Sequence, residues 1–205
     1  MNLPQAFIDK YQHLLGDEAE TFLTALTQEE VQKGFRLNPL KPHAKEMLAK
    51  FDGRTLPQAP FAKDGYVGEI SGKSILHQAG YVYSQEISAM IVASVADVQP
   101  GQRVLDLCAA PGGKSTQLAA SLANHGLLVA NEIYPKRAKI LAENLERWGA
   151  QNTVVTNHAP AELVDFFPQF FDTIVIDAPC SGEGMFRKDE EAIQQWQADT
   201  PEMCA

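Results

Sequence analysis

From Gln99 to Ile176, short runs of β-branched and leucine residues alternate with amphipathic helical stretches, and this alternation constrains the fold more than any other feature. It predicts a strand over 104–107 followed by a helix over 115–122, then a strand over 127–130 followed by a helix over 135–148. Two further strands are expected over 153–155 and 173–176. Pro135 and Gly149 bound the longest helix, since proline has no N–H to lose in a first turn and glycine accepts the left-handed conformation of a helix end. Strands separated by helices of this length form βαβ units, so the expected fold is α/β with a parallel sheet.

The N-terminal third reads differently. Phe7, Ile8, Tyr11, Leu14 and Leu15, then Phe22, Leu23 and Leu26, recur at helical spacing and predict two short helices. Pro39, Pro42, Pro57 and Pro60 break the following stretch into turns around one short helix over 44–51. Short strands or turns are expected over 65–70 and 80–84. A helix follows over 85–95, with Ser84 as its N-cap and Ile87, Met90, Ile91 and Val95 on one side. Residues 190–205 read as a helix that leads to no further strand. The expected organisation is therefore an accessory lobe over 1–70 and a core over 71–205 that is incomplete at its C-terminus.

Charge and cysteine usage narrow the function. Seventeen basic residues against 26 acidic ones give a net charge of −9, which argues against a simple module held to nucleic acid by phosphate contacts. Between Lys33 and Lys50 the balance reverses, with Lys33, Arg36, Lys41, Lys45 and Lys50 against the single acid Glu46. Such a strip suits a polyanion; a solvated helix face is the alternative. Cys108, Cys180 and Cys204 are too few and too unevenly spaced for a disulfide framework or a zinc knuckle. His43, His77, His125 and His158 are dispersed, so no metal is expected. No apolar run approaches the roughly 18 residues of a membrane span, and the N-terminus lacks a signal-peptide pattern, so the chain reads as cytoplasmic, without a membrane partner.

The informative stretch is VLDLCAAPGGK, residues 104–114, which passes from a strand directly into a helix. Its small residues and two glycines let backbone approach a ligand closely, and the following helix presents its positive end. Gly113-Lys114-Ser115 and the acid-ended TIVID, 173–177, imitate a P-loop nucleotide triphosphatase. The imitation fails at Cys108, where a P-loop has glycine, and at Pro111, which has no N–H for phosphate. Gly72-Lys73-Ser74 fails too, with Val67 in the required place. Ligands of open parallel sheets bind beyond the carboxyl ends of the strands. Each expected strand ends in polar or special residues: Cys108 to Lys114, then Asn131 and Glu132, then Asn157, then Asp177 to Cys180. Glu132 is placed to accept hydrogen bonds from two ribose hydroxyls, and no G-x-G-x-x-G accompanies it. A single nucleoside with an amino-acid tail fits better than a dinucleotide.

VLDLCAAPGGKSTQLA, Asn131-Glu132-Ile133 and FDTIVIDAPCSGEGMFRKD, 171–189, closely resemble the NOP2/Sun family of RNA cytosine-5 methyltransferases of the bacterial ribosomal-RNA type. Gly34-Phe35-Arg36-Leu37-Asn38-Pro39 is similar to the family's Arg-x-Asn segment, and Tyr83-Ser84-Gln85-Glu86 also matches. The resemblance implies a Rossmann-like class I methyltransferase core using S-adenosylmethionine. Cys108, Ala109, Ala110, Pro111, Gly112, Gly113 and Lys114 would wrap the cofactor, Glu132 its ribose, Asn157 its adenine side and Asp177 its methionine end. Asp177 and Cys180 would be catalytic, Cys180 assisting release of the methylated product. Arg36, Arg187 and Lys188 would contact an RNA substrate, ribosomal RNA ahead of transfer RNA, with both open.

The implied chemistry explains the need for thiols. Carbon 5 of cytosine is a weak nucleophile until a thiolate adds to carbon 6. In the family the attacking cysteine belongs to a Thr-Cys pair, and Cys204, in Pro-Glu-Met-Cys-Ala, matches neither family motif. The expectation is an N-terminal fragment that does not turn over alone. Two other function classes stay open on the sequence: a P-loop-like nucleotide triphosphatase and a noncatalytic RNA-binding module.

Overall fold

The computed structural model describes residues 2–28, 32–53, 55–178, 182–186 and 190–198. In chain order the elements are α1 (Gln5–Leu15), α2 (Ala19–Gln28), β1 (Gly34–Leu37), α3 (Ala44–Phe51), β2 (Gly65–Val67), α4 (Ile75–Gln78) and β3 (Val82–Ser84). There follow α5 (Met90–Val95), β4 (Arg103–Asp106), α6 (Gly113–Leu122), β5 (Leu127–Asn131), α7 (Pro135–Trp148), β6 (Thr153–Thr156), α8 (Pro160–Phe166), β7 (Thr173–Val175) and α9 (Glu190–Gln195). The chain groups into two compact units, one of residues 1–31 with 179–205 and one of residues 32–178.

The larger unit contains the expected parallel sheet, in the order β6-β5-β4-β7. The chain steps outward from β4 to β6 and then returns to lay β7 on the other side of β4, so strand order reverses at the tips of β4 and β7. Ligand crevices form at such a reversal. Val104, Leu118, Leu122, Leu128, Leu141 and Leu145 are almost completely buried between sheet and helices, each contributing on the order of 1.5–3 kcal/mol of apolar transfer free energy. The bounds of α7 follow from local chemistry: Pro135 opens it, Gly149 closes it at φ 83°, and Ala138, Leu141, Leu145 and Trp148 make one buried stripe. Helix α8 is not among the helices that the sequence periodicity predicts. It starts at Pro160, and the Glu162 carboxylate accepts the Ala159 N–H at 2.7 Å.

The same unit carries a three-stranded antiparallel sheet, β2-β1-β3. Strand β1 is not predicted, because at four residues it is too short for the alternation of Phe35 and Leu37 with Arg36 to stand out. This sheet pairs residues 34–37 with 65–67 and 82–84, so the expected boundary near residue 70 falls between two of its strands. The helix expected over 85–95 is confined to Met90–Val95, and Ser84 ends β3 instead of capping it. The cause is the ladder, which continues one residue further as the Gln85 N–H donates to the Gly34 carbonyl at 3.0 Å. Residues 85–89 are thereby held out of the helix.

In the smaller unit α1 and α2 are the two short helices expected. Phe7, Phe186, Ile193 and Trp196 form its apolar cluster. Glu183 accepts hydrogen bonds from Lys10 (3.0 Å), Tyr11 (2.7 Å) and Trp196 (2.8 Å). Burial and this carboxylate push the Tyr11 hydroxyl up to about 12. The helix expected over 190–205 ends at Gln195, and residues 199–205 lie outside the described residues. Among the described residues no helix is long and apolar enough to cross a membrane.

Candidate functional site

Three acids converge at the strand tips. Asp106 ends β4, Glu132 follows β5 and Asp177 follows β7, and all three charges act on the thiol of Cys108. Burial first, and then those carboxylates, push that thiol up from its ordinary range. Cys108 is half-buried and its sulfur is kept in the neutral, unreactive form, which suits packing better than nucleophilic attack.

Asp106 is 1% exposed. One carboxylate oxygen accepts the Ser115 hydroxyl at 2.6 Å, whereas the other is buried with no hydrogen-bond partner. Burial pushes this carboxyl up to about 6 even though Ser115 and Lys114 pull it down. Glu132 is also buried; it accepts the Tyr134 N–H at 3.0 Å and pairs with Arg137 at 3.1 Å. Lys114 Nζ lies 2.5 Å from Asp177 Oδ2, joining the loop after β4 to the end of β7.

The loop of residues 108–114 is held from behind by its carbonyls. Arg137 donates to the Ala110 carbonyl at 2.8 Å, Asn144 to that of Pro111 at 2.7 Å and Arg36 to that of Gly113 at 2.7 Å. A Cβ at Gly112, whose φ is 113°, would meet Leu141 and Asn144 at 3.3 and 3.4 Å, so only glycine lets the loop sit this close to α7. The Ala109 N–H is taken by the Asn131 carbonyl at 2.8 Å, so Ala109 packs and offers no free amide.

Asn131, noted in the sequence only as a polar strand end, ties three strands together. Its amide donates to the carbonyls of Leu107 (3.2 Å) and His158 (3.0 Å), and its oxygen accepts from the Thr156 hydroxyl (2.8 Å) and the His158 N–H (3.1 Å). Its position directly before Glu132 at a strand end was the available signal. Asn157 is exposed and donates its side-chain N–H to the Glu132 carbonyl at 2.5 Å.

Arg36 does not lie on a surface facing RNA. It is 2% exposed and its guanidinium is bonded to Gln85, Gly113 and Thr116, because it points from β1 into the start of α6. Its neighbour Asn38 is fully buried and bonds the carbonyls of Gly80 (2.7 Å) and Trp148 (2.6 Å). Cys180, Arg187 and Lys188 lie outside the described residues.

The arrangement is an acidic crevice at a strand-order reversal, with one buried carboxylate oxygen unpartnered and a glycine loop beside it. The family described as 16S rRNA methyltransferase RsmB/F matches residues 93–204, more than half of the chain. The chain belongs to the RsmB/F family. The N-terminal domain of 16S rRNA methyltransferase RsmF matches residues 3–87. Among RsmF relatives, the ribosomal RNA small subunit methyltransferase F of Vibrio parahaemolyticus is 36% identical over 206 residues, covering 95% of this chain and 43% of the relative. That of Salmonella arizonae is 38% identical over 187 residues, 86% of this chain and 39% of the relative. The chain thus spans less than half the length of these curated RsmF relatives.

Solved structures agree on the fold. A methyltransferase homologue from Pyrococcus horikoshii superposes with a TM-score of 0.78 at 28% identity, covering 93% of this chain and 64% of that one. NSun6 from the same organism gives 0.77 at 18% identity, covering 87% and 71%, and speaks for the fold alone. The RsmB/F core is thus the α/β parallel sheet expected from the strand and helix alternation, in the Rossmann-like methyltransferase form that the family resemblance implies.

Proposed function

We propose that this chain forms the cofactor-binding part of an enzyme that transfers a methyl group from S-adenosylmethionine to carbon 5 of a cytosine in structured RNA, and that the RNA is ribosomal. The observation that carries the reading is the trio of acids at the strand tips, with the Asp106 oxygen buried and unpartnered. A buried acceptor of this kind suits a ligand that brings its own cationic donor, as an amino-acid tail does.

The cofactor supplies an electrophilic methyl on a positively charged sulfur. Every other part falls to the chain. Glu132, held by Arg137 and the Tyr134 N–H, presents its carboxylate to ribose hydroxyls. Loop 108–114 lines the nucleoside and tail, and Asn157 borders the adenine side. Asp177, paired with Lys114, holds the methionine end and orients the target base. The base reaches the crevice only when swung out of its stack. Cys180 assists release of the methylated product. The family's Thr-Cys pair has no counterpart in these 205 residues, so this chain's residues bind, orient and release.

RNA positioning falls to the N-terminal region, which does not end at residue 70 because β1 pairs with β3 across that boundary, and Arg187 and Lys188 supply phosphate contacts. A ribosomal substrate sets this work in the cytoplasm. Calorimetry with S-adenosylhomocysteine tests the cofactor reading: saturable binding is expected, and stabilisation by magnesium-ATP in its place would support a nucleotide triphosphatase. RNA bisulfite profiles with and without the intact gene then test the substrate. The expected result is the loss of one methylated cytosine in ribosomal RNA.

A further inference from the structure

Strand β1 alternates strictly. Phe35 and Leu37 join the cluster of Leu48, Leu76 and Val82, and Arg36 projects the other way. Its Nε donates to Gln85 Oε1 at 2.6 Å, and its Nη2 donates to the Gly113 carbonyl at 2.7 Å and the Thr116 hydroxyl at 2.6 Å. The guanidinium carbon lies 5.4 Å from the ring centre of Tyr83 and 5.2 Å from that of Trp148. A buried charge is expensive unless its bonds are satisfied, and two of these three bonds go to the first turn of α6. That turn is where the N–H groups of Gly113, Lys114 and Ser115 have no carbonyl within the helix to accept them.

We propose that Arg36 is a positioning residue for the cofactor. By drawing the Gly113 carbonyl toward β1, it turns the peptide units at the start of α6 so that their N–H groups face the crevice. This rests on the cofactor reading above. The planar fork of arginine serves three acceptors from fixed directions, which a lysine ammonium cannot do. Gln85 completes the device, since a Cβ at Gly113 would meet its amide nitrogen at 3.2 Å and the two therefore pack directly.

The test uses the whole chain and two readouts: calorimetric affinity for S-adenosylhomocysteine and amide hydrogen exchange in the absence of ligand. Arg36→Lys is expected to weaken binding at least tenfold and to speed exchange at residues 112–116 while β5 and α7 keep their protection. Thr116→Val, a milder change at the same junction, is expected to shift both readouts in the same direction by a smaller amount, and it carries the test if Arg36→Lys does not fold. Leu48→Ala, in α3 within the cluster that takes the opposite face of β1, lowers overall stability and is expected to leave affinity within twofold. Variants at Arg36 and Thr116 that bind as tightly as the parent overturn the clamp, as does an equal loss in Leu48→Ala. A parent chain that does not bind S-adenosylhomocysteine overturns the cofactor reading and the proposal with it.

Discussion

Lys114 Nζ and Asp177 Oδ2 meet 2.5 Å apart, a contact that closes the crevice between the loop after β4 and the tip of β7. Both side chains are partly exposed, so the pair contributes little to stability, about 0–1 kcal/mol. Its value lies in where it sets a charge. Asp177→Asn is expected to weaken S-adenosylmethionine binding about fivefold more than that of S-adenosylhomocysteine, because only the former has a charged sulfur, and Lys114→Ala to shift the ratio the other way. Titrating both ligands into each variant checks this. An unchanged ratio would place Asp177 away from the sulfur.

Glu132 is expected to act on the ribose and not on the tail. Glu132→Ala removes charge-assisted hydrogen bonds worth about 1.5–3 kcal/mol, a loss of roughly ten- to a hundredfold in affinity. The loss should be equal for S-adenosylhomocysteine and for adenosine, which lacks the tail. Competition binding with the two ligands measures it.

Asp106 gives the protein a pH signature. Its carboxyl is pushed up to about 6 by burial, so between about pH 4 and 6 the folded protein holds the proton more tightly than the unfolded chain. Its contribution to stability is therefore most favourable at low pH, declines as pH rises through that window and stays at its least favourable above about pH 6. Asp106→Asn removes the pH-dependent part. Urea unfolding at pH 4 and pH 7.5 should show the variant gaining about 2 kcal/mol on the parent at the higher pH. Binding of a cationic tail favours the ionised carboxylate, so the parent's affinity for S-adenosylhomocysteine should fall as pH drops below 6.

Asn131 makes four hydrogen bonds across three strand tips. Asn131→Ala leaves the groups it served buried or half-buried without partners, and a loss of about 2–4 kcal/mol is expected by chemical denaturation. Asn131→Asp should be at least as harmful, because its charged oxygen would face the carbonyls of Leu107 and His158 where an N–H now donates. A variant of either kind with parental stability would contradict the latch.

The parallel sheet and its helices were legible because their signals are local. Pro135 and Gly149 mark the ends of α7 by their own backbone chemistry, and its 14 residues lie where the sequence places them. The loop of residues 108–114 was legible for a similar reason, since small residues and two glycines between strand and helix mark a tight turn by their own backbone chemistry. Strand β1 was not legible, because four residues are too few for its alternation to be told from a turn. Nor was the late start of α5, which depends on a hydrogen bond from Gln85 to Gly34, 51 positions earlier in the chain.

The sequence by itself determined the order of the parallel strands and their helices, with strand ends to within a residue, because these signals come from neighbours a few positions away. It placed Glu132 and Asp177 just beyond their strands, whereas Asp106, inside the strand expected over 104–107, joins them at the tips only in the folded structure. Only the tertiary structure decided what Arg36 is for. Read along the chain it belongs to a positive strip; folded, it is 2% exposed and bonded to Gly113, 77 positions away. Charge is a property of a residue, but whether that charge meets water or a carbonyl depends on which distant backbone packs over it, and neighbouring residues in the chain do not encode that.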